Sequence, residues 1–131
     1  MQITRETDYA LRCLYYLVRR PEQVCMVDEI AAEMEIPRSF LAKIARKLAA
    51  AGLVVAHRGV GGGFMLIRKP ETISIHEVIC AIEGEVALNI CTGEEKRCQR
   101  SDHCPLHPVW VNLRRDVEAL LQARNFAELL P

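Results

Sequence analysis

The sequence predicts a mainly α-helical fold: a winged helix-turn-helix domain followed by a long C-terminal dimerisation helix. Three observations carry that expectation. Two short amphipathic segments meet across the tight break "EIPRS", the arrangement of a helix-turn-helix. Two β-prone runs, Leu53–Ala56 and Phe64–Ile67, flank a glycine-rich tip from Gly59 to Gly63. That pattern is a hairpin, placed where a wing follows a recognition helix. Apolar residues at Val109, Leu113, Val117, Leu120 and Leu121 then recur at helical spacing beyond a domain already near complete. A stripe of that kind is covered by the same helix from a second copy. The expected boundaries are 1–84 for the winged domain, 85–107 for a cysteine-rich loop and 108–131 for the dimerisation helix and tail.

Each element has its own signals. In "ITRETDYALRCLYYLVRR", Tyr9, Cys13, Tyr16 and Leu17 share a helix face, Thr4 stands as N-cap and Pro21 ends the helix. "MVDEIAAEME" sets Ile30 and Met34 four apart. "SFLAKIARKLAAAG" opens on Ser39 as a cap and stops at Gly52, turning Leu41, Ile44, Ala45 and Leu48 inward and Lys43, Arg46 and Lys47 outward. "KPETISIHEVICAIEG" predicts a helix capped by Ser74, with Glu77 completing a capping box. Cys13 and Cys80 fall on apolar stripes and read as core fillers, whereas Cys25 lies in a turn with no role that sequence assigns.

Half of the 131 residues are apolar, enough for one modest core. No apolar run is long enough to span a bilayer. The first helix is too interrupted by charge for a signal peptide, so the expected compartment is the cytoplasm, where cysteines serve as ligands or core more often than as disulfides. Net charge is zero but unevenly spread: residues 1–70 carry 11 Lys+Arg against 7 Asp+Glu, and residues 71–131 carry 6 against 10. From Ile36 to Pro70 there are seven basic residues and no acidic one, which points to a polyanion.

On a helix entering a major groove, the first residues reach base edges. Arg38 and Ser39 are therefore candidates for base or first-phosphate contacts, and Lys43, Arg46 and Lys47 for phosphates. In the tip "RGVGGGF", Gly59, Gly61 and Gly62 allow close approach to a sugar-phosphate backbone, leaving Arg58 to enter the minor groove. The glycines sit between strands, without the helix or the Gly-Lys-Ser/Thr ending that a nucleotide loop requires. His57 and His76 lie in no nucleophile or metalloprotease motif, so an enzyme acting on a small-molecule substrate is not expected.

Cys91, Cys98 and Cys104 stand among polar residues in "CTGEEKRCQRSDHCPLH", surroundings that do not select cysteine for hydrophobicity. They point to a shared soft metal or cluster; a disulfide with a spare thiol is the alternative. Gaps of six and five residues differ from the close Cys pair of a zinc knuckle and favour iron–sulfur. A fourth ligand is still needed, either His107 nearby or a carboxylate from elsewhere.

Together, "MQITRETDYALR", the helix-turn-helix, the wing "RGVGGGF" and the triple-cysteine loop resemble the IscR/NsrR/RirA family of bacterial regulators, the Rrf-two superfamily. The resemblance covers essentially the whole chain. It implies a homodimer that binds a palindromic double-stranded operator, with an iron–sulfur cluster controlling DNA affinity. It implies Cys91, Cys98 and Cys104 as cluster ligands, the first gap being one residue longer than in many members. One branch uses a histidine at the position of His107 with a two-iron cluster. Another uses an aspartate of the partner chain, matching Asp8 of the partner subunit, with a four-iron cluster. The N-terminus is closer to the second branch, which favours the four-iron form. Arg58 matches the minor-groove arginine. Ala42 stands where one branch has a glutamate that discriminates operators, so a shared target sequence is not implied. A zinc- or thiol-redox-dependent winged-helix regulator is the alternative reading.

Overall fold

The computed structural model describes residues 2–93 and 98–131, so part of the predicted cysteine-rich loop lies outside the described residues. In chain order these form α1 (Arg5–Val18), α2 (Val27–Met34), α3 (Arg38–Ala50), β1 (Val54–His57), β2 (Gly63–Leu66), α4 (Ile75–Glu83) and α5 (His107–Gln122). The expected class is the one observed: helices, a small β wing and a long C-terminal helix.

Helix α1 is the centre of the core. Thr4 caps it, accepting the Thr7 N–H at 3.2 Å. Its inner residues Ala10, Cys13, Leu14 and Leu17 are fully buried against α2, α3 and α4, where Ile30, Leu41, Ile44, Leu48 and Val78 complete the packing. Helix α2 stops where Glu35 takes the left-handed conformation (φ 54°). Ile36 is buried and donates its N–H to the Ala31 carbonyl at 3.0 Å. Only Glu35, Ile36 and Pro37 separate α2 from α3.

The start of α3 departs from expectation. Pro37 is the N-cap and no side chain caps the helix, so Ser39 sits inside the first turn and is exposed. Proline's fixed φ, here −58°, presets the chain for helix entry without a capping oxygen. The Ser39 hydroxyl is thereby left to solvent.

The wing pairs β1 and β2 antiparallel, from Val54 opposite Leu66 to His57 opposite Gly63. Cys25 joins it: its N–H donates to the Phe64 carbonyl at 2.8 Å, and the Phe64 N–H donates back to the Cys25 carbonyl at 2.9 Å. A Cβ on Gly63 would lie 1.9 Å from that Cys25 oxygen, so only glycine fits there. Cys25, silent in the sequence, thus marks the point where the wing is fastened to the entry of α2.

Ser74 caps α4, accepting the Glu77 N–H at 3.0 Å, but the capping box is half made. The Glu77 carboxylate pairs with Arg68 instead, a charged partner that outcompetes a neutral N–H. Cys13 is buried as expected. Cys80 is only half-buried, with its sulfur 3.5 Å from His76 Nε2. No residue of α5 is buried, and Val109, Leu113 and Leu120 are exposed. Beyond α5 the chain folds back: Phe126 is completely buried, its N–H on the Ile73 carbonyl at 3.1 Å, while Ile75 N–H meets the Arg124 carbonyl at 2.9 Å. Among the described residues no helix is long and apolar enough to cross a membrane.

Candidate nucleic-acid interface and cysteine loop

Burying Leu41, Ile44, Ala45 and Leu48 fixes the rotation of α3, and that rotation leaves Arg38, Ser39, Ala42, Lys43 and Arg46 exposed. Arg38 pairs with Asp28 of α2 at 3.1 Å, both side chains well exposed, a contact weak enough in water to be exchanged. Arg46 and Arg58 have no ion pair among the described residues. At the wing tip Gly59 and Gly61 take positive φ, 95° and 76°, and a Cβ on Gly62 would meet the His57 carbonyl at 2.3 Å. Val60 projects fully into solvent. The basic candidates of α3 and the wing arginine are thus all exposed except Lys47, which is half-buried.

Lys47 and Lys43 have a partner that the sequence concealed. Lys47 Nζ stands 2.9 Å from Glu6 Oε1 of α1, off the line of a hydrogen bond, and donates to the Ile82 carbonyl of α4 at 3.1 Å. Lys43 Nζ stands 3.5 Å from the other carboxylate oxygen. The Lys47 ammonium holds the Glu6 carboxyl below the usual range. The Tyr9 and Phe40 rings meet edge-on at 5.1 Å, a second tie between α1 and α3. On the other side of the same turn, Glu83 Oε1 accepts from Thr4 N–H at 2.8 Å and Thr7 Oγ1 at 2.6 Å.

The cysteine loop is built on the end of α4. Asn89 caps a 3-10 turn, Ile90–Thr92, that buries Cys91. Cys91, Cys98, Cys104, His107 and Trp110 line one cavity of about 160 Å³. All six cysteines are free, and no three His, Cys, Asp or Glu side chains among the described residues stand close enough to hold one metal ion. His107 Nδ1 is nonetheless buried, with no hydrogen-bond partner among the described residues. A buried polar nitrogen in that condition is rare in folded proteins. Three thiols and an unsatisfied imidazole around one cavity fit a soft metal group.

Arg114 of α5 anchors the loop, donating to the Thr92 carbonyl next to Cys91 and pairing with Glu85 at 2.9 Å and Glu118 at 3.0 Å. Asp8 is elsewhere in the protomer. It pairs with Arg12 at 2.7 Å, is partly exposed, and lines a separate depression with Gln2, Ile3 and Leu11. One chain therefore brings the cysteines and His107 together and leaves Asp8 apart. Glu6 escaped the sequence reading because its lysine partners lie dozens of residues away; Arg114 escaped it because only its i,i+4 pair with Glu118 is local, while its hold on Glu85 and the Thr92 carbonyl arises from tertiary packing.

A family model for Rrf2, described as an iron-dependent transcriptional regulator, matches residues 3–131. The transcriptional regulator IscR of Aliivibrio salmonicida is 30% identical over 131 residues, covering 99% of this chain and 77% of that protein. NsrR of Shouchella clausii is 34% identical over 109 residues, covering 82% and 70%. Among solved structures, CymR, the global cysteine regulator of B. subtilis, superimposes with a TM-score of 0.77 at 22% identity, covering 98% and 95%; that likeness concerns the fold. The chain belongs to the Rrf2 family of winged-helix, DNA-binding transcriptional regulators, and it is not an enzyme.

Proposed function

We propose that the protein is a homodimeric operator-binding regulator whose DNA affinity is set by an iron–sulfur cluster held by Cys91, Cys98 and Cys104. The observation that carries this reading is the single cavity lined by those thiols and His107, with the His107 ring nitrogen buried and unsatisfied. When bound, such a cluster supplies a redox-active centre with exchangeable iron–ligand bonds. His107 is the fourth ligand favoured by that orphan nitrogen. The second reading gives the fourth position to Asp8 of the partner subunit, supported by its partial exposure and by ion pairs that water already weakens.

The chain's own contacts suggest how the loop is read out. Cys91 precedes Thr92, whose carbonyl is held by Arg114, and the same guanidinium grips Glu85 just past α4. The end of α4 in turn holds α1 through Glu83 and α3 through the Ile82 carbonyl. A change in thiol spacing thus has a polar route to α3. At the DNA, Arg38 and Ser39 are assigned to base edges, Lys43 and Arg46 to phosphates, and Arg58 with Gly59, Gly61 and Gly62 to the minor groove of a palindromic site; Lys47, expected from the sequence at a phosphate, is instead engaged by Glu6 and the Ile82 carbonyl. Dimerisation through α5 is supported by its exposed leucines.

Protein purified without oxygen should be coloured and contain iron and sulfide. Chelating the iron should change its affinity for a duplex selected from a random pool. Colourless protein with stoichiometric zinc overturns the cluster reading in favour of the zinc alternative. His107→Ala altering the visible spectrum while Asp8→Ala leaves it unchanged supports the first ligand assignment. The reverse supports the second.

A further inference from the structure

We infer that Glu6 is an internal competitor for DNA phosphate, a carboxylate that occupies the lysines of the recognition helix until the duplex displaces it. The inference rests on the reading of α3 as the DNA-contacting helix and adds a regulatory residue to it. Glu6 lies in the first turn of α1, 18% exposed, with each oxygen directed at a different lysine of α3. The lysines are not equivalent. Lys47 is one-third exposed and has a second acceptor in the Ile82 carbonyl, so it is a strut between α1, α3 and α4. Lys43 is 57% exposed, stands farther from the carboxylate at 3.5 Å, and has no second acceptor among the described residues. Its ammonium is the one a phosphate can take.

Two consequences follow from charge alone. A partly buried carboxylate is screened less by salt than a surface one, so Glu6 lowers the positive potential of α3 wherever DNA approaches. Each phosphate contact also contributes about 0.9 to the slope of log affinity against log salt, and a lysine already paired with carboxylate releases fewer counterions when it meets DNA. The carboxylate therefore weakens sequence-independent binding. It leaves base contacts from Arg38 and Ser39 a larger share of the total.

The test uses a labelled random-sequence DNA duplex and the full chain. Glu6→Gln keeps the shape and an acceptor for Lys47 but removes the charge. It should bind more tightly and steepen the salt slope by up to about 0.9, equivalent to a gain of at most roughly eightfold near 0.1 M salt. In the Glu6→Gln background, Lys43→Ala should erase that gain; in the wild-type background it should change the slope much less. Weaker or unchanged binding by folded Glu6→Gln overturns the inference. So does a gain that survives Lys43→Ala. If Glu6→Gln does not fold, Lys43→Ala alone decides: a loss of the full ~0.9 in the wild-type slope means that Glu6 does not occupy the lysine. Failure of the wild type to bind duplex DNA at all would instead remove the DNA-binding reading itself.

Discussion

Phe126→Ala should come close to unfolding the winged domain, although Phe126 lies beyond the long helix. The side chain has no solvent exposure and is among the largest fully buried ones, in the same cluster as Leu14, Leu17 and Ile73. Truncating a buried phenylalanine to alanine removes its transfer free energy and leaves a cavity, together about 3–5 kcal/mol. The Phe126 N–H to Ile73 bond at 3.1 Å survives the substitution, so the loss is one of packing. Against a total stability of about 5–15 kcal/mol, that is a large fraction. Urea unfolding followed by circular dichroism measures it directly, with the midpoint moving and the slope unchanged. A loss below about 0.5 kcal/mol, the scale of a surface change, would refute the claim that the last turn belongs to the core. The same result bears on dimerisation: deleting everything from Pro108 onward also removes Phe126, so a monomer obtained that way reports unfolding as much as lost association.

Dimerisation is better tested with Leu113→Glu and Leu120→Lys, which leave Phe126 in place; sedimentation should show a folded monomer, and an intact dimer would exclude this face of α5. Arg58→Ala should weaken binding to a selected duplex more than to random DNA, because a minor-groove arginine senses groove width as well as charge; equal losses would remove it from specificity. Lys47→Ala should lower stability by about 1 kcal/mol, a charged hydrogen bond discounted for partial exposure, and change the salt slope less than Arg46→Ala does. The Cys13 thiol is pushed up to about 12 by burial, so it stays protonated and unalkylated in native protein. Because its folded value is raised, the stability it contributes is full below the ordinary thiol value and falls as pH climbs toward 12. Cys13→Ala should flatten that alkaline loss in a pH series of urea midpoints.

Periodicity and punctuation made most of the fold legible. Thr4, Ser74 and Gly52 marked helix ends because caps and left-handed glycines are local chemistry, and the inward residues of α3 followed from spacing alone. Ser39 misled because a preceding proline also starts helices, and Glu77 misled because its competing partner, Arg68, comes from outside the helix. The charge count from Ile36 to Pro70 was correct as a count. It took Lys43 and Lys47 as unpaired because Glu6 enters their surroundings only through tertiary packing. Cys25 was unreadable for a similar reason, its function being carried by backbone atoms facing Phe64. The three-cysteine loop was legible because polar surroundings leave few reasons for thiols. The orphaned His107 nitrogen became visible only with burial.

The first turn of α1 concentrates three kinds of hold within five residues. Thr4 and Thr7 are bound to Glu83 at the end of α4, Glu6 to the lysines of α3, and Asp8 to Arg12, which also reaches the Met34 and Glu35 carbonyls at the turn before α3. A rigid helix presents these side chains at fixed angles, so shifting the turn toward one neighbour draws it away from another. Each contact is worth about 1 kcal/mol, and a tenfold change in DNA affinity requires only about 1.4 kcal/mol. Exchanging one or two of these contacts therefore supplies about 1–2 kcal/mol, within the roughly 1–3 kcal/mol typical of coupling between sites. No large rearrangement of the core is needed, and the buried faces of α1 and α3 can stay packed while the charge available on α3 changes.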